Sequence, residues 1–223
     1  MMRYEMFGIK EMNSFITFVQ KNGILRLTVE HLYLAGIAMG LAILIGVSLG
    51  ILLSRFRWLA TPILGTASVI QTIPSLAILG FMIPLLGIGV RPAIAALFLY
   101  ALLPIIRNTY TSVIGVDPAL IESATGMGMM RRQVLVSVRL PLALPIIMAG
   151  IRTSTVICVG IATLCAFIGA GGLGTLIFRG ISMVNNRIIL AGAVPAALLA
   201  LALDFLLGRL EALLSPKGLT VER

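Results

Sequence analysis

Charge is scarce in this chain. Only 11% of its 223 residues are Asp, Glu, Lys or Arg, 59% are hydrophobic, and the mean hydropathy is +1.10. A soluble globule cannot coat itself with so little polar surface, so the composition is that of an integral membrane protein. A single histidine, His31, and two cysteines, Cys158 and Cys165, are too few for a His/Cys metal site. The cysteines stand seven residues apart in one apolar run, about 10 Å along a helix axis, so they cannot bridge within one helix and read as small core residues. No G-x-x-x-x-G-K-[ST] occurs, so ATP cannot be held by a P-loop here. A Ser/His/Asp set is missing too, as is a carboxylate pair within one span, which leaves an enzyme without a site. Acids are the scarcer sign, 8 against 17 Lys and Arg, for a net charge of +9. The basic excess lies between apolar stretches, which marks membrane topology and not nucleic-acid binding. Residues 1–30 carry seven charges and no apolar centre, so no cleavable signal is expected and the first span directs insertion.

The long apolar runs predict an all-α membrane protein of about five spans. Residues 31–54 hold no charge, and 24 residues at about 1.5 Å each cover the ~30 Å hydrocarbon core. The next span is expected over 62–84 with a kink around Pro74, and a third over 92–113 with Arg107 near its end. Residues 140–168 and 188–207 supply the fourth and fifth. Gly36 and Gly40, then Gly46 and Gly50, suit close helix contact along the first span. The chain divides into an amphipathic segment 1–30, a transmembrane domain 31–214 and a tail 215–223.

Five spans put the termini on opposite sides. Arg55, Arg57, Arg107, Arg131, Arg132, Arg139, Arg209, Lys217 and Arg223 fall on one side, against Arg91, Arg179 and Arg187 on the other. The excess places the 114–139 loop and the C-terminus in the cytoplasm. Met12, Phe15, Ile16 and Val19 form an apolar stripe, which predicts an interfacial helix on the outer face, with a sixth span as the weaker alternative.

The 114–139 loop carries the most specific pattern. Asp117-Pro118 is a helix start, the carboxylate capping free N–H groups and the proline tolerated in the first turn. A short helix is expected from Pro118, interrupted at Gly126 and Gly128. A second short helix over 131–138 then leads into Leu140-Pro141, where the fourth span starts. Glu122-Ser123-Ala124, three residues, Gly128, nine residues, Val138, one residue and Leu140-Pro141 together resemble the EAA loop of ABC importer permeases. Ser123 stands for the usual first alanine and Val138 for the usual isoleucine. The resemblance implies a coupling helix docked in a groove of a separate cytoplasmic ATPase, with Glu122, Ser123, Ala124, Gly126, Gly128, Val138, Leu140 and Pro141 as the coupling set. Ala124 keeps the docking face small, Gly128 permits the reversal, and Glu122 offers charge to a partner base.

Further stretches narrow the resemblance. Gln71-Thr72-Ile73-Pro74-Ser75, Leu99 to Ile105, Arg107-Asn108-Thr109-Tyr110, Gly126 to Met129 and Ile168 to Gly174 are similar to permeases of osmoprotectant importers, which carry glycine betaine, carnitine, choline or proline betaine. The resemblance implies a second, identical or homologous permease subunit, a dimer of ATPases holding ATP and Mg, an extracytoplasmic binding protein, and a bacterial inner membrane. No cofactor is expected on this chain. Its one tryptophan and four unclustered tyrosines make no aromatic cage for a quaternary ammonium, so selection is expected on the binding protein.

Polar residues inside apolar helices are the path candidates: Gln71, Thr72 and Ser75 beside the kink at Pro74, and Thr153, Ser154 and Thr155 on the fourth span. Taken singly, each is more simply read as interhelical hydrogen bonding without contact to the solute. Asp204 reads as an interfacial or Arg-paired group. Gly169 to Gly174 spells G-x-G-x-x-G, but no strand precedes it and no acid follows near twenty positions on, so a turn or close packing explains it. Three alternatives stay open: an ABC permease for methionine or another small solute, an oligomeric secondary transporter without an ATPase, and a structural membrane anchor.

Overall fold

Residues 22–214 are described in a computed structural model, and all regular elements among them are helical. The stripe at Met12 to Val19 and the tail 215–223 lie outside the described residues. Helix α1 runs Ile24–Arg55, α2 Ala60–Thr72, α3 Ser75–Leu86, α4 Val90–Ile114, α5 Pro118–Gly126, α6 Arg131–Ala162, α7 Gly174–Ser182 and α8 Asn186–Leu214. Four of these, α1, α4, α6 and α8, are long and apolar enough to cross a membrane, and the α2–α3 pair makes a fifth span if counted as one. That agrees with the about five spans expected.

The boundaries differ where local chemistry acts. Helix α1 begins at Ile24, seven residues before His31, because its charged first turns are stable as helix: Arg26 and Glu30 pair at i,i+4 with 3.1 Å between Nε and Oε1. At the other end of the chain, α8 continues to Leu214 instead of stopping at 207, so Arg209 and Glu211 are helical.

The largest difference is at Pro74. In place of a kink, α2 and α3 are separate helices bent by 101°. Proline disfavours helical geometry in the residue before it, and Ile73 is extended (ψ 132°), as is Pro74 itself (ψ 134°). Two consecutive extended residues break a helix outright. The halves have 13 and 12 residues, about 20 and 18 Å, so neither crosses the hydrocarbon alone.

Helix α4 is the centre, packed between α1 and α6. Small residues permit the close approach. A Cβ on Gly50 would lie 2.6 Å from Thr109 Cβ, one on Gly46 2.8 Å from Ile105, and one on Gly150 of α6 2.8 Å from Asn108 Cβ. Gly36 and Gly40, expected to act alike, meet nothing within 4 Å and lie on the open side of α1. Polar bonds stitch the same core: His31, fully buried, donates through Nε2 to the Val159 carbonyl at 3.1 Å, and Ser154 donates to the Ala101 carbonyl at 2.8 Å. Cys158 and Cys165 are buried, free core residues.

Helix α6 ends at Ala162, short of the expected 168. A 3-10 turn (Leu164–Ile168) and glycines with positive φ at 169, 171 and 172 reverse the chain. The Gly172 N–H donates to Glu30 at 3.1 Å, and a Cβ on Gly174 would strike the Thr163 carbonyl. The G-x-G-x-x-G stretch is therefore a packed turn between helices. The nine-residue α7 that follows, with the Phe178 ring tilted at 52° against Phe167 (3.8 Å between centroids), is an element the sequence pattern does not announce.

Candidate coupling loop and membrane path

Helix α5 starts as its sequence dictates: Asp117 caps it, accepting from the Ala119 N–H at 2.9 Å, and Pro118 occupies the first turn. Its end is set by Gly128, not by Gly126. Gly126 is the last helical residue, while Gly128 takes φ +83°, with its N–H on the Thr125 carbonyl (2.9 Å) and the Met129 N–H on the Ala124 carbonyl (3.1 Å). This pair of bonds is a Schellman closure, which needs a left-handed residue at that position. Glu122 and Ser123 are exposed, Ser123 turned back onto the Ala119 carbonyl (2.8 Å), and Ala124 is 2% exposed on the face toward the rest of the chain. Leu120, Met127 and Met130 are exposed on the same short loop.

The expected second short helix followed by a separate span is corrected. Residues from Arg131 to Ala162 form one helix, with a π turn at Leu135–Arg139. Pro141 has no N–H to offer and would clash with a carbonyl one turn back. The π turn, in which Leu140 N–H bonds the Leu135 carbonyl, carries the helix past it unbroken. Val138, Leu140 and Pro141 are half-buried at the foot of α6, against which α5 rests. The loop is thus a helix, a glycine turn and the base of a span. All eight residues of the expected coupling set fall on it.

The expected path residues form two groups. At the α2–α3 break, Gln71 Nε2 donates to the Tyr100 carbonyl (2.9 Å) and the Tyr100 hydroxyl donates to the Ile73 carbonyl, so α4 clamps the break from both sides. Thr72 and Pro74 are exposed and Ser75 opens α3 half-buried. Arg107 ties α2 to α4 through Ser68 Oγ (2.9 Å). On α6, Thr153 is exposed, whereas Ser154 and Thr155 are buried, Ser154 bonded to α4 and Thr155 to its own helix (2.8 Å to the Ile151 carbonyl). Three consecutive residues on a helix point to different sides.

An ionic cluster was missed. Arg152, midway along α6, donates through Nε and Nη2 to the two oxygens of Asp204 (2.9 and 3.0 Å) and through Nη1 to Glu211 (3.0 Å). Asp204 is Arg-paired as anticipated. The two acids, seven apart on α8, are the carboxylate pair within one span that the shorter fifth span had excluded. A charge inside span four was the available signal, but its partner lies 52 residues on.

A membrane bundle with a broken span and an exposed helix-turn loop, encoding no nucleotide-binding motif of its own, is of the class of transporter membrane subunits. The family described as binding-protein-dependent transport system inner membrane component matches residues 42–217. The glycine betaine/carnitine/choline transport system permease protein OpuCB of Bacillus subtilis (strain 168) is 50% identical, covering 93% of this chain and 97% of its own. The osmoprotectant import permease protein OsmW of Salmonella typhimurium is 52% identical over 86% and 92%. Among solved structures, an inward-facing MetNI methionine ABC transporter shares the fold, with a TM-score of 0.78, 23% identity and coverage of 86% of this chain and 96% of that one. This chain belongs to the binding-protein-dependent permeases of ABC importers, in the osmoprotectant branch. It is a multi-pass inner-membrane transport component and not an ATPase.

Proposed function

We propose that this chain is one of two permease subunits of an importer for quaternary-ammonium osmoprotectants of the betaine, carnitine or choline type. The observation that carries the reading is identity near 50% over nearly the whole chain to permeases named for those solutes. An extracytoplasmic binding protein selects and delivers the solute, a reading supported by the single tryptophan of the chain, Trp58, standing exposed between α1 and α2. A dimer of cytoplasmic ATPases binds ATP and Mg and drives the cycle. The loop carrying Glu122 to Gly128, with Val138, Leu140 and Pro141 at its base, docks on that ATPase and passes its closure to α6. The C-terminus faces the cytoplasm with the loop. Gln71, Thr72, Pro74 and Ser75 border the path around the α2–α3 break and Thr153 borders it on the α8 side of α6, while Ser154 ties α6 to α4 and Thr155 bonds its own helix. The exposed apolar side chains of Leu120, Met127 and Met130 support a protein-docking role for the loop.

Reconstitution tests this. Proteoliposomes holding the permease subunits and ATPase, supplied with the cognate binding protein and ATP, are expected to accumulate labelled glycine betaine, carnitine or choline. Uptake of methionine but none of these would overturn the assignment of cargo, and uptake without ATP would overturn the mechanism.

A further inference from the structure

The lower half of α8 is packed only shallowly: Leu199, Ala200, Leu203 and Leu207 rest on the main core without being buried in it. Gly192 and Ala196 are its only buried residues, and nothing from Ala197 to Leu214 is buried. Lipid tails are as apolar as Leu, so apolar contact gives such a helix little reason to stay beside its neighbour, and a polar bond does. The Arg152 fork supplies three bonds to this shallowly packed stretch, at Asp204 and Glu211, two turns apart. Gly208 lies between them, and a Cβ there would stand 3.3 Å from the guanidinium carbon, so the small residue gives the arginine its seat. About 20 Å of unbroken helix separates Arg152 from Arg139 at the loop end of α6.

We infer that Arg152, Asp204 and Glu211 form a transmission link that makes the lower half of α8 follow α6 when the loop is displaced. This rests on the loop's proposed docking to an ATPase. The three side chains are positioning residues: they need touch no cargo. The link explains a cost that the fold otherwise carries for nothing, since charges at membrane depth are retained where they pair and serve. Cavities of about 420 and 520 Å³ flank the cluster, one lined by Ala149, Thr153 and Val156 and the other by Leu201, Phe205 and Arg209. The ions are thus tied to each other and not sealed in the core, and the link adds to the shallow apolar contacts of Leu203 and Leu207.

The complete importer in proteoliposomes provides the test, with uptake and ATP hydrolysis measured on the same sample. Asp204→Asn keeps the shape and removes the charge. It is expected to lower solute moved per ATP hydrolysed by about tenfold, the factor for roughly one lost ionic contact, with ATPase activity within about twofold of native. The exchange Arg152→Asp with Asp204→Arg, made together with Glu211→Gln so that no carboxylate faces the new aspartate, is expected to recover most of the ratio. A spin-label pair at Val156 and Leu201 is expected to hold one distance through the nucleotide cycle in the native protein and a broadened one in Asp204→Asn. Native coupling in Asp204→Asn, or equal loss of uptake and hydrolysis with an unchanged distance distribution, would overturn the inference. Failure of the native importer to couple uptake to ATP would instead overturn the proposed function.

Discussion

The α1–α4–α6 core and α8 are held by opposite means. In the core, glycines at 46, 50 and 150 bring backbones so close that a single methyl would meet side-chain carbon or a carbonyl at 2.6–2.9 Å. Dispersion and a few buried polar bonds do the work there. Helix α8 is nearly as apolar as α1 yet about half as buried, and three ionic hydrogen bonds reinforce the shallow apolar contacts of its lower half. Hydrophobicity alone therefore does not tell which helix is packed in a membrane. Close approach and buried polarity do.

The comparison breaks most sharply at Gly50. Gly50→Leu is expected to abolish accumulation of the folded permease, because Thr109 and the Ile106 carbonyl occupy the space, and overpacking of this kind costs about 3 kcal/mol or more. Detergent-extracted monodisperse protein is the readout. Gly128→Ala acts on the loop alone: φ +83° costs a side chain roughly 1–2 kcal/mol, so the α5 end is expected to fray, seen as faster amide exchange at position 128 and at Met129, with the spans unchanged. Tyr100→Phe removes the hydroxyl that holds the Ile73 carbonyl, worth about 0.6–1 kcal/mol, and is expected to lower thermal stability slightly while leaving the protein folded. Gly36→Ala with Gly40→Ala is expected to change the stability of the isolated chain least, since both face open space. If those alanines reduce pairing with a second permease subunit in cross-linking, the open face of α1 is an interface and the core extends across chains.

Much of this molecule is legible in its sequence. Long apolar runs mark the spans, and the loop is legible because its determinants are local: Asp117 caps two residues on, and Gly128 closes a helix three to five residues back. What was missed depends on partners distant in the chain. Pro74 predicted a bend, but its angle is fixed with Tyr100 bonded to the Ile73 carbonyl, 27 residues away. The continuity of α6 through Pro141 depends on a π turn that no residue pattern announced. Arg152 could not be matched to Asp204 and Glu211 until α6 and α8 were side by side, and the fifth span had been ended before Glu211. The GxxxG stripes were equal as sequence, and only the position of α4 separates Gly46 and Gly50 from Gly36 and Gly40.

The most direct test of the central claim, that the loop from Pro118 to Pro141 is where an ATPase takes hold, is co-purification from membranes. The native chain is compared with a Glu122→Lys, Gly128→Asp double variant, matched for amount of folded permease, and the accompanying proteins are identified. An ATPase subunit is expected with the native chain and not with the variant. The same ATPase recovered in equal amount with both, or with neither, would contradict the account.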